Sequence, residues 1–220
     1  MFQNAVRAVK FPRTPHLPFS EGVHDDDRLL ESMGALLSHE VVVTEKMDGE
    51  NTTMYRGHIH ARSLDGRSHP SRDWVKQFWS GFKDRIPVGF RVCGENLFAR
   101  HSVSYHLLPS YFLGFSVWND GNVCLSWDET IEWFELLGIT PVPELRRGFV
   151  TEKELRTMAL TGIERDTCEG FVVRVAGQFA YGEYQTMVAK WVRKGHVQTD
   201  RHWMRARPIV RNGLARGAAG

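Results

Sequence analysis

The apolar positions of this chain change period several times, and each change marks an element. Residues 24–38, "HDDDRLLESMGALLS", open acidic and carry Leu29, Leu30, Met33, Leu36 and Leu37 at helical spacing, which predicts one short amphipathic helix. From Val41 the pattern turns to strands. "VVVTEK", "TTMYRG" and "HIHARS" are β-branched or alternating and are separated by Asp48-Gly49-Glu50-Asn51 and by Gly57, so they read as a meander of antiparallel strands. "RDWVKQFWSGFKDRI" returns to helical spacing, with Trp74, Val75, Phe78, Trp79 and Phe82 on one face that is expected to be core. Strands follow at "GFRVCGENLF", "YFLGFSVWN" and "NVCLSW", the last two joined by the hairpin signal Asp120-Gly121. Ser126 with Glu129, and Thr151 with Glu154, have capping-box spacing and predict two helix starts. "CEGFVVRVAG" and "QTMVAKWVRK" read as two late strands.

Proline and glycine place the ends. Pro12, Pro15 and Pro18 make the first two dozen residues an extended arm laid over a surface, and the basic Gly/Ala-rich "RNGLARGAAG" reads as a frayed tail. The sum is a strand-dominated α+β fold: an arm over residues 1–24, one domain over 25–200 and a short basic tail over 201–220.

Composition narrows the classes. The chain has 220 residues, 42% of them hydrophobic and 25% charged, enough for one substantial core. A formal charge of +2 excludes a globally basic nucleic-acid binder, while 28 Lys+Arg and ten histidines leave room for a local basic groove. Cys93, Cys124 and Cys168 lie far apart without C-x-x-C spacing, so neither a disulfide framework nor a zinc knuckle is indicated and a reducing cytoplasm is expected. The start of the chain has no apolar signal region, and no stretch approaches the roughly 18 apolar residues of a membrane span. No histidine shows metal-ligand spacing, so His58, His60, His101, His106, His196 and His202 are expected to be solvent-facing or satisfied.

The candidate chemistry begins at "TEKMDGENTT", where Lys46 follows a β-branched strand at a tight turn. As a nucleophile at neutral pH it needs a pKa well below about 10.4, which burial or a nearby cation can supply. Taken alone, K-x-D-G fits equally a solvated lysine beside a turn. Five further stretches follow in order: "ARSLDG" at 61–66, "CGENLF" at 93–98, "YFLGFSV" at 111–117, "CEGFVVR" at 168–174 and "VAKWVRK" at 188–194. With these six elements, residues 41–197 resemble the covalent nucleotidyltransferases, the superfamily of ATP-dependent RNA and DNA ligases and mRNA capping enzymes, and most closely their RNA ligases.

The resemblance implies an antiparallel-sheet nucleotidyltransferase domain, an ATP-grasp-like ligase catalytic core with flanking helices. It implies that Lys46 attacks the α-phosphorus of ATP, expels pyrophosphate and becomes a lysyl-adenylate, with Glu45 beside it in the nucleotide site. Arg62 corresponds to the arginine that engages the ribose or the incoming phosphate, or it is a surface arginine at a strand end. Glu95 corresponds to the ribose-binding carboxylate, with Gly94 allowing close backbone approach. Phe115 is expected to stack on adenine and Phe112, on the opposite strand face, to be core; the reverse, or both in the core, also fits the pattern. Glu169 corresponds to the carboxylate that helps bind Mg2+ or Mn2+, and Lys190 to the late-strand lysine that contacts the α-phosphate and, as a cation, would favour neutral Lys46. The implied substrates are RNA ends, a 5′-phosphate and a 3′-hydroxyl, or DNA ends, prepared by a partner kinase or phosphatase, with no membrane involved.

Two departures stand against the family pattern. Val192 occupies the place of a second late-strand lysine, leaving Arg193 or Lys194 as replacements. Only 30 residues follow Lys190, short of the ~50 that an OB barrel needs from its strands and turns, so no OB domain is expected. The segment "RKGHVQTDRHWMRARPIVR" either tracks a phosphate backbone or packs Trp203 and Met204 on the core as a solvated helix, and Lys10, Arg13 and His16 of the arm offer another contact surface. A guanylyltransferase, a small DNA ligase and a non-catalytic RNA-end-binding module are the competing functions.

Overall fold

The computed structural model describes residues 7–25, 27–64, 68–162, 168–195 and 208–219. In chain order its elements are α1 Gly34–Leu37, β1 Val41–Lys46, β2 Glu50–Met54, β3 Ile59–Ala61, α2 Asp73–Ser80, β4 Arg91–Asn96, β5 Leu108–Ser110, β6 Phe112–Trp118, β7 Val123–Cys124, α3 Trp127–Leu137, β8 Thr140–Pro141, β9 Glu144–Gly148, α4 Glu152–Thr161, β10 Gly170–Val175, β11 Phe179–Ala180, α5 Tyr184–Met187, β12 Val188–Val192 and β13 Leu214–Ala219. The fold is mixed α and β, built on two sheets. The first runs β12-β10-β1-β9 and is antiparallel throughout; the second runs β11-β7-β6-β4-β2-β3, with short β8 added in parallel beside β6.

β1 reads Val-Val-Val-Thr because it is the interior of a sheet. Val41, Val42 and Val43 are all fully buried, and β10 and β9 take up its two edges. This corrects the predicted meander. β2 and β3 do form an antiparallel pair, but β2 joins β4 in the second sheet, and the Asp48-Gly49 turn carries the chain from one sheet to the other. Gly49 is required there: a Cβ would meet the Asn96 carbonyl oxygen at 2.6 Å.

The helices follow their local signals. Ser126 and Thr151 each accept from the backbone N–H three residues on, and Glu129 and Glu154 reach back to complete both capping boxes. Gly138, at φ 73°, closes α3 in the left-handed conformation. Val75 and Phe82 are buried against Phe112, Phe134 and Leu137, with Trp74, Phe78 and Trp79 half-buried beside them, so the aromatic stripe of α2 is core as expected. β6 turns into β7 over Asn119–Asn122, where the left-handed residue is Asn122 (φ 59°) rather than Gly121.

Three further expectations are corrected by tertiary pairing. The helix over 24–38 shrinks to α1, because the backbone around Leu29 pairs instead with His16: the His16 N–H donates to Arg28 O (2.6 Å) and the Leu30 N–H to His16 O (2.7 Å). Gln185-Thr186-Met187 belong to α5, and the last strand of the first sheet begins only at Val188. The tail is docked rather than frayed. β13 lies parallel to β5, and buried Asn212 accepts from the Tyr105 N–H (3.0 Å) and donates to Leu97 O (2.8 Å). Trp203 and Met204, with His196 and His202, lie outside the described residues. No helix among the described residues is long and apolar enough to cross a membrane.

The proline-rich arm is woven into the first sheet. Lys190 N–H donates to Pro15 O (2.9 Å) and Leu17 N–H to Lys190 O (2.7 Å), so the arm runs parallel along the free edge of β12. Leu17 is fully buried, which is worth ~2 kcal/mol by the area rule.

Candidate active site

A cavity of about 620 Å³ opens where the two sheets and the arm meet, within the range of small-molecule sites. Lys46, at the end of β1, lines it from the first sheet together with Lys190 of β12. Glu95 of β4 and Phe115 of β6 line it from the second sheet, Arg62 from the turn after β3, and Glu45 from β1. Glu169, one residue before β10, is buried and accepts from Lys46 Nζ at 2.6 Å. The structure therefore brings together all seven residues named from the sequence, spread over more than half of the chain.

The lining has two chemistries. Phe115 faces Phe11 edge-on (5.3 Å between ring centroids), and Phe11 in turn meets Tyr184 (5.5 Å), making an aromatic group on the cavity wall. Phe112 is fully buried among the helices, so of the two phenylalanines only Phe115 reaches the cavity. Lys46, Arg62, Arg72, Arg174 and Lys190 supply the cationic part, suited to an anionic ligand.

The charge states follow from burial and neighbours. Burial pushes the Lys46 ammonium down, but the carboxylates of Glu169 and Glu95 prevail and hold its pKa above the ordinary lysine value. Lys190 is lowered, by burial first and then by Lys46, against the opposing pull of Asp27 and Glu169. The two ammoniums repel, as Lys190 shows, but for Lys46 a carboxylate in hydrogen-bond contact outweighs that repulsion and burial, so its net shift is upward. Burial pushes Glu95 up to about 8, with Lys46 pulling it down and Glu169 and Asp48 adding to the rise. Burial also raises Glu45, the Cys168 thiol acting the other way.

Other residues complete the site without having announced themselves. Arg72 Nε donates to Glu50 Oε2 (2.7 Å) and its Nη2 to Glu50 Oε1, a two-point pair on the cavity wall. Asn51 lines the cavity with its buried Oδ1 unbonded. Phe11, Pro12 and Thr14 of the arm form part of the wall. For Glu50 and Asn51 the signal was available in their place directly after the K-x-D-G tetrad; for Arg72 there was none, and the prolines of the arm indicated a surface-laid segment without singling out Phe11 or Thr14. Asp48 fixes the turn after Lys46, because its Oδ2 accepts from the Val103 N–H (2.7 Å) and its N–H donates to the Tyr105 hydroxyl (2.9 Å).

Several remaining expectations change. β12 ends at Val192, Arg193 Nε donates to Cys168 O (2.9 Å) and Lys194 is exposed, so neither basic residue lines the cavity in place of a second lysine. Gly94 gives close approach to Phe112 and to Leu113 O, where a Cβ would fall at 2.3 and 2.5 Å. His16 is buried and is no contact surface, whereas buried His60 keeps to the expectation at one ring nitrogen, its Nδ1 lying 2.7 Å from Ala61 O. Among the described residues no three His, Cys, Asp or Glu side chains gather to hold a metal. Glu169, in contact with Lys46 Nζ at 2.6 Å, fits a hard cation that takes its other ligands from phosphate and water.

Comparison with known proteins agrees with this geometry. The family model described as RNA ligase matches residues 39–192. Among solved structures, an archaeal ATP-dependent RNA ligase superposes with TM-score 0.54 at 16% identity, over 84% of this chain and 48% of its own. The Naegleria gruberi RNA ligase with pyrophosphate gives 0.53 at 18%, over 90% and 62%, and a mutant of that enzyme with ATP and manganese gives 0.51 at 16%, over 86% and 59%. The chain thus spans about half to three-fifths of the length of these structures. No curated protein sequence matches it. With the family model covering most of the chain and the same fold in solved ligases, this protein belongs to the RNA ligase family.

Proposed function

We propose that this protein is an ATP-dependent RNA ligase that carries AMP on Lys46 and passes it to the 5′-phosphate of an RNA end, which a 3′-hydroxyl then attacks, forming the phosphodiester as the anhydride bond breaks and AMP leaves. The observation that carries this reading is the Lys46–Glu169 contact at 2.6 Å on the wall of a cavity that Lys190, Glu95 and Phe115 also line. Lys46 Nζ would form the N–P bond to the α-phosphorus as the bond to pyrophosphate breaks, and Glu169 Oε2 is the nearest acceptor for its proton. Lys190 and Arg62 would hold phosphate oxygens, Glu95 the ribose hydroxyls, and Phe115 the base. A divalent cation at Glu169, magnesium or manganese, would neutralise phosphate charge and compete with Lys46 for the carboxylate.

The test uses the protein alone with ATP and magnesium. Intact mass and the tryptic peptide containing Lys46 should show one added adenylate that pyrophosphate removes, and Lys46→Ala should show none while keeping its fold. Labelling retained in Lys46→Ala would sink the assignment. One observation favours a second reading: the second late-strand lysine is replaced by Val192, and Arg193 is tied to a backbone carbonyl. A non-catalytic RNA-end-binding module would bind RNA in a salt-sensitive manner and release no pyrophosphate.

A further inference from the structure

We infer that Asp27, ahead of the first strand and outside the residues the family model matches, is a positioning residue for Lys190. The inference rests on the reading of the cavity as the place where Lys46 takes up AMP.

A lysine on a four-carbon stem reaches a phosphate reproducibly only when its backbone is fixed and its ammonium has an anchor. Both come from the first thirty residues. The arm holds the Lys190 backbone through Pro15 O and the Leu17 N–H, and Asp27 Oδ1 lies 3.7 Å from Lys190 Nζ. Asp27 is itself fixed: its Oδ2 accepts from the His24 N–H (3.1 Å) and lies 3.2 Å from His16 Nε2. His16 is buried and its Nδ1 is 2.8 Å from Ser20 Oγ, which accepts from the Val192 N–H at 2.9 Å. The contacts close a ring from Lys190 through Asp27, His16 and Ser20 to Val192 and back along β12.

The ring leaves the charge where Lys190 can use it. Burial, and next Lys190 itself, lower His16 to about 4, so at neutral pH it carries no charge to compete for Asp27. At 3.7 Å the pair is an ion pair without a direct hydrogen bond, so the three ammonium donors stay available to a phosphate. Asp27 would thus fix the Lys190 ammonium for the moment when charge builds on the transferring phosphate, and its loss should appear in the rate at saturating ATP rather than in ATP affinity.

Asp27→Asn keeps the side-chain shape and an acceptor for the His24 N–H while removing the charge. The rate of lysyl-AMP formation at saturating ATP should fall about tenfold, with KM for ATP changing less than about twofold, and Asp27→Glu should recover most of the rate. The melting temperature of both variants should stay within about 2 °C of the parent, corresponding to less than ~1 kcal/mol. A parental rate in Asp27→Asn, a change confined to KM, or a loss that Asp27→Glu does not repair and that follows a drop in melting temperature would overturn the inference. If the unmodified protein takes no AMP from ATP, the proposed function fails and this inference with it; if it does and Asp27→Asn matches it, only the role of Asp27 fails.

Discussion

Burying Glu95 near Glu169 and Asp48 makes its proton hard to remove, against the pull of Lys46, and folding stability inherits that difficulty. Its pKa rises from 4.5 to about 8, so its contribution to stability is complete below pH 4.5 and is lost as pH climbs through 8. Thermal melts of Glu95→Gln should match the parent near pH 4.5 and exceed it near pH 9; equal melts at both would show that the carboxyl is not held protonated by the fold. His16 has the opposite sign. Lowered from 6.5 to about 4, it contributes above pH 6.5 and loses that contribution as pH falls through 4, so His16→Gln should flatten that limb of the acid melt. At this scale the resemblance of short stretches to the nucleotidyltransferase family named Lys46, Glu95, Glu169 and Lys190 without a structure. The Glu50–Arg72 pair joins residues 22 positions apart with no pattern between them, and Asp27 had nothing to mark it among three consecutive aspartates.

Elements were legible where their cause is local. A capping box spans four residues, and both predicted boxes formed; Thr151→Ala should cost about 1 kcal/mol in urea unfolding, and no change would mean that the cap is idle. The helix over 24–38 failed because Arg28 and Leu30 find backbone partners at His16, which helical periodicity cannot report. An Asp-Gly turn looks the same whether it closes a hairpin or crosses between sheets, so β1 was placed beside β2 when its partners were β9 and β10. The tail shows the converse. Its Gly/Ala composition reads as loose, yet Asn212 binds it to Tyr105 and Leu97, and Tyr105 in turn holds the Asp48 turn. Asn212→Ala strands buried backbone partners and should cost ~2–3 kcal/mol, read as a lower urea midpoint at unchanged slope.

For the whole molecule, the consequence of assembling the cavity from two sheets and an arm is that filling the cavity and folding are coupled, which makes the proposed nucleotide site testable by thermal melts. ATP at about 100 times its Kd should stabilise the fold by ~2.7 kcal/mol, a rise of several degrees in melting temperature for a chain of this size. A titration with ATP and magnesium that leaves the melt unmoved would argue against the cavity as the nucleotide site.

By itself the sequence determined the types and most of the positions of the elements, the helix caps and, through its family resemblance, the ordered set of chemical residues. Each of these is written in a window of a few residues, where periodicity and side-chain chemistry act directly. Only the tertiary structure decided which strands share a sheet, that the arm and tail are built into the fold, and that Lys46 is held charged by Glu169, 123 positions away. Those outcomes depend on distances between residues remote in the chain, and Coulomb and hydrogen-bond energies respond to those distances rather than to order along the sequence.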